Sequence, residues 1–172
     1  MDNKVFYIVL AVLVAAFVTF AVVTKEPTEE KERLGYAHED EGRKHVDDKE
    51  YDDSAEPLTS GAHASPIPWG SYESDLKEVN TIHNLEHGGI YVSYQPNLPD
   101  EQVQAMKELL FEPYGDSEFK PKKVILAPRA ANSSPIVVSS WLRSMKLEKF
   151  DAQKIIDYYE TNAGKSPEPL AQ

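Results

Sequence analysis

The sequence predicts an α+β protein: a small mixed sheet of three to four strands with packed helices, preceded by a single N-terminal transmembrane helix. Three observations carry that reading. Residues 5–23 form an apolar run interrupted only by Thr19. Beyond residue 89 the hydrophobic period alternates between the extended and the helical repeat in the order β-α-β-β-α. And the 172 residues include no cysteine, so the domain must rest on its own core or on a bound metal rather than on disulfides.

As a helix the 19 residues of the apolar run would reach about 28 Å, close to the hydrocarbon thickness of a bilayer. A cleavable signal peptide has a shorter apolar region and an Ala-x-Ala-like exit. Here the run ends Ala21-Val22-Val23-Thr24-Lys25, so an uncleaved anchor over residues 1–24 is expected. Lys4 alone precedes it, while Lys25, Lys31 and Arg33 follow, a distribution that by itself opposes an inside N-terminus. Against that, the short leader leaves little to translocate, which favours the domain lying outside.

Residues 25–56 carry thirteen acidic against six basic side chains and few apolar ones. They are expected to be a solvated, self-repelling spacer, with His38 a bystander in it; an acidic partner-binding segment is the alternative. The formal net charge of −11 argues against nucleic acid, whose binding needs phosphates neutralised by Lys and Arg. It also disfavours docking of the soluble part on anionic lipid.

The domain proper is expected over residues 57–166, with 167–172 a tail. It opens with a stretch punctuated by Pro57, Gly61, Pro66, Pro68 and Gly70, where Trp69 and Tyr72 should anchor irregular chain. Leu76, Val79, Ile82 and Leu85 recur with a period near three, predicting a short helix that ends at Gly88. Ile90, Val92 and Tyr94 alternate with Tyr91 and Ser93 as in a strand. Pro99-Asp100-Glu101 opens the next helix, with Val103, Met106, Leu109 and Leu110 on one stripe and Pro113 near its stop. Residues 123–127 (KVILA) and 135–141 (PIVVSSW) read as two neighbouring strands joined by a working loop. Asp151 should cap a last helix with Ile155, Ile156 and Tyr159 inward and Gly164 as its stop.

Chemistry concentrates in residues 81–94, TIHNLEHGGIYVSY. His83 and His87 stand at i and i+4, one turn apart on one face of the predicted helix. With His63 from the upstream loop, and His45 next, they form a set of imidazoles able to hold zinc, copper or nickel. Glu86 would serve as ligand, orienter of a ring, or general base. The plainer alternative has these histidines bonding backbone carbonyls around the Gly-Gly turn. His83-x-x-Glu86-His87 also matches the inverted zinc-peptidase pattern, with Glu160 as a distant third ligand; Gly88-Gly89 cut the helix at once, and the domain is small for a cleft. A non-enzymatic module is the other class, with Trp69, Tyr72 and Tyr94 lining a groove and Arg129 contacting an anion or pairing structurally. Copper(I) handling would draw on Met106 and Met145, of which Met106 falls on a core stripe.

His45, TSGAH (59–63), PWGSY (68–72), HNLEHGGIYVSYQP (83–96), LAPR (126–129) and Trp141 together resemble, in this order, the family called domain of unknown function 3105. The likeness covers roughly residues 43–168. It implies an N-terminal anchor and an extracytoplasmic domain, but no activity; an envelope protein partner belongs to the non-enzymatic reading of the aromatic residues. One departure is Pro57-Leu58, where the family commonly has two prolines.

Overall fold

In the computed structural model, residues 3–23, 31–51, 56–112 and 114–171 are described. The chain divides into two compact units, residues 1–31 and 32–172.

The first unit is the helix α1 (Asn3–Val23), 21 residues long. Its large apolar side chains, among them Tyr7, Ile8, Leu13 and Phe17, are exposed. Among the described residues no helix is long and apolar enough to cross a membrane; in α1 the side chains are described over 3–17 and at Thr19 and Phe20, so the expected anchor is covered only in part. The exit Thr24-Lys25 lies outside the described residues.

The second unit is built on a six-stranded mixed sheet rather than the three to four strands expected, in the order β1-β6-β5-β3-β4-β2. Its strands are β1 (Tyr36–Ala37), β2 (Gly70–Ser71), β3 (Ile90–Tyr94), β4 (Val124–Pro128), β5 (Ile136–Ser140) and β6 (Arg143–Leu147). β3 runs parallel to β4 and antiparallel to β5. The two runs expected to be neighbours, β4 and β5, are therefore separated by β3. The loop between them crosses over it.

The alternation read from residues 90–94 sorts onto two faces. Ile90, Val92, Tyr94, Val124, Leu126, Ile136 and Val138 pack on one side, against α3 (Asp100–Leu110) through Met106 and Leu110 and against α4 (Ala152–Asn162) through Ile155 and Tyr158. Tyr91, Ile125 and Ala127 pack on the other, beneath Ile82 and Leu85 of α2 (Glu78–Glu86). Central strands covered on both faces are mostly apolar, and so β3, β4 and β5 read as hydrophobic runs broken only by the buried Ser93, Ser139 and Ser140 and by Pro128. Asp151 caps α4 by accepting from the Lys154 N–H, as expected. Tyr158, rather than Tyr159, is its buried ring.

β6 escaped the sequence reading for a local reason. Ser140 pairs with Arg143, so β5 and β6 join through Trp141 and Leu142 alone. Two-residue hairpin turns favour Asn-Gly or Gly-containing pairs because positive φ is needed, yet here Leu142 adopts φ +59°. Tertiary contacts hold it: the Leu142 N–H donates to the Thr59 carbonyl (3.2 Å), and its own carbonyl accepts from the His38 N–H (3.0 Å).

Residues 32–51, placed by the sequence in an acidic spacer, belong to the second unit. β1 pairs with β6. Arg33 donates to the Trp141 carbonyl (2.6 Å) and to Asn162 Oδ1 (3.0 Å). His38 meets Ser144 Oγ at 2.7 Å. Polar side chains with few apolar neighbours hid these contacts, because each is a specific hydrogen bond and none leaves a hydrophobic period. Residues 52–55 lie outside the described ones.

α2 ends as the sequence predicts, on Gly88 at φ +82°. The Gly88 N–H donates to the Leu85 carbonyl and the Gly89 N–H to that of Asn84, the paired pattern of a Schellman cap. A Cβ at Gly89 would stand 2.4 Å from the Trp69 ring and 2.8 Å from the Lys123 carbonyl oxygen. Gly89→Ala must therefore displace the indole or the start of β3. Equilibrium urea unfolding of this variant is expected to lose about 1–3 kcal/mol; a change below about 0.5 kcal/mol would show that the indole is not held against this backbone.

Candidate metal centre

The loop preceding α2 is laid over that helix by hydrogen bonds. The Ala64 N–H donates to the Val79 carbonyl (2.8 Å). Asn84 on α2 holds residue 67 at both ends, its Nδ2 donating to the Ile67 carbonyl and its Oδ1 accepting the Ile67 N–H. Alongside runs the strap that carries His45. Its Lys44 carbonyl accepts the His63 N–H (3.0 Å), and the Val46 N–H donates to the His63 carbonyl (2.9 Å), a parallel bridge between His45 and His63. Three stretches far apart in sequence thus deliver their imidazoles to one place.

His45, His63, His83 and Glu86 each offer a donor atom, and these atoms lie within 4.8 Å of one another. Ring centroids are 4.6 Å apart for His45 and His63, 5.0 Å for His45 and His83, and 4.8 Å for His63 and His83. His63 and Glu86 are fully buried, and His45 is exposed. Four ligands held at 2.0–2.2 Å from a zinc ion stand roughly 3.3–3.5 Å from each other. Closing the widest pair by about an ångström would suffice.

The backbone decides which nitrogens face inward. His63 Nδ1 lies 2.8 Å from the Gly61 carbonyl and His83 Nδ1 lies 2.5 Å from the Ala64 carbonyl. A carbonyl can only accept, so both Nδ1 atoms carry hydrogen. In the neutral rings each Nε2 then presents a lone pair. That of His63 stands 3.0 Å from Glu86 Oε2, yet the two are out of line, and neither atom makes a hydrogen bond. Two acceptors crowded together in a dry interior repel unless a cation or a proton lies between them. A ring that donates Nδ1–H to a carbonyl and aims Nε2 at a shared point is the arrangement of metal-binding histidines.

Burial holds the His83 imidazole below its usual value of 6.5, and the nearby rings of His87, His63 and His45 push the same way; the bond to the Ala64 carbonyl opposes them. His83 is thus kept in the neutral form that a metal needs.

His87 falls outside the four. Its Nε2 lies 3.0 Å from His83 Nε2 and 4.0 Å from Glu168 Oε2. The i, i+4 pair is therefore as close as the spacing predicts, but His87 stands on the outer side of His83.

Comparison with protein families decides the affiliation. The model of a family described as a protein of unknown function (DUF3105) matches residues 45–172, which is 128 of the 172 residues (172 − 45 + 1 = 128). The chain belongs to the DUF3105 family. No curated protein and no solved structure matches it. The DUF3105 match begins at His45 itself and runs through the C-terminal stretch, so it takes in both the strap histidine and the segment expected to be a tail.

That segment is built into this DUF3105 domain. The Gly164 N–H donates to the Gly88 carbonyl (2.9 Å), and the Glu168 N–H to the Glu86 carbonyl (3.1 Å). The Lys123 ammonium, on a residue at φ +56°, donates to the carbonyls of His87 and Pro169 (2.9 Å each) and of Ala171. A cation there also suits the carbonyl end of α2. Lys123 and Glu168 were missed by the sequence reading; no spacing rule ties either to residue 87.

The other expected site residues lie elsewhere. Tyr94 packs on the opposite face of the sheet, where it lines a cavity of about 510 Å³ with Glu73 and Lys107. Trp69 covers Gly89, and the Tyr72 hydroxyl donates to the Pro68 carbonyl (2.5 Å); both anchor the loop, as expected, without lining a groove at the histidines. Glu160 is exposed on α4 and outside the donor group. Met106 is in the core and Met145 packs against it, so neither thioether joins the centre.

Arg129 is an ion-pair partner rather than an anion contact. Its Nε and Nη2 lie 2.8 and 2.7 Å from Glu78 Oε1, and Nη1 donates to Asn132 Oδ1. Burial raises the Glu78 carboxyl above its usual range, opposed by the Arg129 charge and by the Leu58 N–H. That N–H, 3.0 Å from Glu78 Oε2, exists because residue 58 is not the second proline the family resemblance leads one to expect. Arg129→Met leaves the Glu78 carboxylate buried with its cation gone and is expected to cost about 3–5 kcal/mol. The double variant with Glu78→Gln should recover part of that loss in urea unfolding; simple additivity would mean that the pair is not coupled.

Proposed function

We propose that this chain is a membrane-anchored extracytoplasmic domain that binds one divalent transition metal, zinc or copper(II), through His45, His63, His83 and Glu86. The observation that carries the reading is the convergence of lone pairs. Two rings have their Nδ1–H fixed on carbonyls, the Nε2 of His63 lies 3.0 Å from the buried Glu86 carboxylate, and no hydrogen bond satisfies His63 Nε2 or Glu86 Oε2. A three-nitrogen, one-oxygen set suits zinc or copper(II), and the absence of sulfur from the centre argues against a copper(I) carrier.

The anchor is supported by the 21-residue helix α1, about 31 Å long at the helical rise, and by its exposed apolar side chains. The outside placement of the domain rests on the family resemblance. A hydrolase of the His-x-x-Glu-His type is less well supported, because the Glu86 carboxylate is buried, 3.0 Å from His63 Nε2, and so is poorly placed to activate water against a bulky substrate.

A second reading has its own observation. The same Nδ1 bonds brace the loop, His63 on Gly61 within it and His83 on Ala64 joining it to the helix, so the histidines would stabilise the fold of an envelope module that binds another protein. Mass spectrometry of the full chain purified in detergent separates the two. Metal binding predicts close to one ion per chain, and a melting temperature that falls roughly 5–10 °C on chelation and returns with Zn²⁺ or Cu²⁺. His63→Ala and Glu86→Gln should each abolish that response. Since protons compete for imidazole nitrogen, affinity should weaken as pH falls below about 6.5. A chain that carries no metal and melts identically with and without added ions leaves the structural reading standing.

A further inference from the structure

We infer a second, outer metal station formed by His83, His87 and Glu168, through which a single ion passes to and from the buried site. This inference rests on the metal-binding reading above and adds a route to it.

The geometry supplies three facts. His87 Nε2 lies 3.0 Å from His83 Nε2 and 4.0 Å from Glu168 Oε2, and an inward swing of the exposed Glu168 side chain would let all three hold one ion. Glu86 is 1% exposed, His83 and His87 are 9% and 8% exposed, and the Glu168 side chain, 48% exposed, is the solvent-facing member of this line. And Glu168 is held there by its own N–H on the Glu86 carbonyl and by the Lys123 ammonium, which gathers the carbonyls of His87 and Pro169.

His83 makes the two positions alternatives. Its Nδ1 is committed to the Ala64 carbonyl, so it has one nitrogen to offer and serves one ion at a time. An ion on the outer station keeps its bond to His83 while His87 and Glu168 are exchanged for His63, Glu86 and His45. No step leaves it bare, and the waters of a hydrated ion come off one by one. Without such a relay, an ion arriving past the exposed His45 would have to give up most of its water shell before it met His63, His83 or Glu86. The outer station lowers the barrier in both directions, so it sets rates and leaves the affinity of the inner site unchanged.

The test uses the full chain in detergent. Zn²⁺ loading is followed by stopped flow against a chromophoric zinc chelator, extraction is measured with excess EDTA, and Kd comes from chelator competition. His87→Ala is expected to slow loading and extraction alike by tenfold or more while Kd moves less than threefold. Glu168→Gln, an exposed and conservative change, should slow both in the same sense and guards against a folding defect in the histidine variant. His63→Ala should instead lose the affinity. Unchanged rates in both outer variants would overturn the inference and point to entry past the exposed His45. A loss of affinity in His87→Ala as large as that in His63→Ala would make His87 a resident ligand, and two ions bound per chain would make the stations independent; either overturns the relay but leaves metal binding intact. A wild-type chain that binds no Zn²⁺ removes both.

Discussion

The chain leaves α2 and enters β3 in three residues, and most of the domain depends on how closely that passage can be packed. Gly88 takes the left-handed conformation that closes the helix, and Gly89 lets the Trp69 indole lie directly on the backbone. A side chain at either position would separate layers that touch here: at Gly88 a Cβ would stand 2.9 Å from the Cα of Gly164. With the turn this tight, the last turn of α2 is fixed relative to the sheet on one side and the C-terminal segment on the other. His83, Glu86 and His87 ride on that last turn, so the precision of the centre is inherited from two absent side chains.

Much of the architecture was legible because its signals are local. The inner stripe of α2, the alternation in β3, the Asp151 cap and the glycine stop each follow from a few adjacent residues. So does the closeness of His83 and His87, which needs nothing beyond the helical repeat. The centre was legible in part: four of the five metal candidates share donor distance, while the fifth, His87, lies just beyond them. Convergence of His45 and His63 had no local signal beyond residue type, since it depends on a backbone bridge between two irregular segments.

What could not be read was non-local or used the wrong residue for the job. β6 follows a turn made by Trp141 and Leu142, where a glycine or asparagine would have announced it. The strap over residues 32–46 is held by polar contacts and β1, with too little apolar content to betray a packed element. Arg129 found Glu78, fifty-one positions away, through a crossover that set β3 between β4 and β5. Tyr94 went to the far face because strand parity placed it with Val92, a conclusion available from the alternation but overridden by its nearness in sequence to the histidines.

Both margins of the sheet are very short. β1 and β2 contribute two residues each, so neither outermost strand offers a neighbouring molecule a long ladder to extend, and Lys146 adds a charge beside one margin. Exposed ladders are the usual template for chain-to-chain aggregation. For a domain that lacks covalent cross-links, brevity at the rims is a way of keeping neighbouring copies from zipping together.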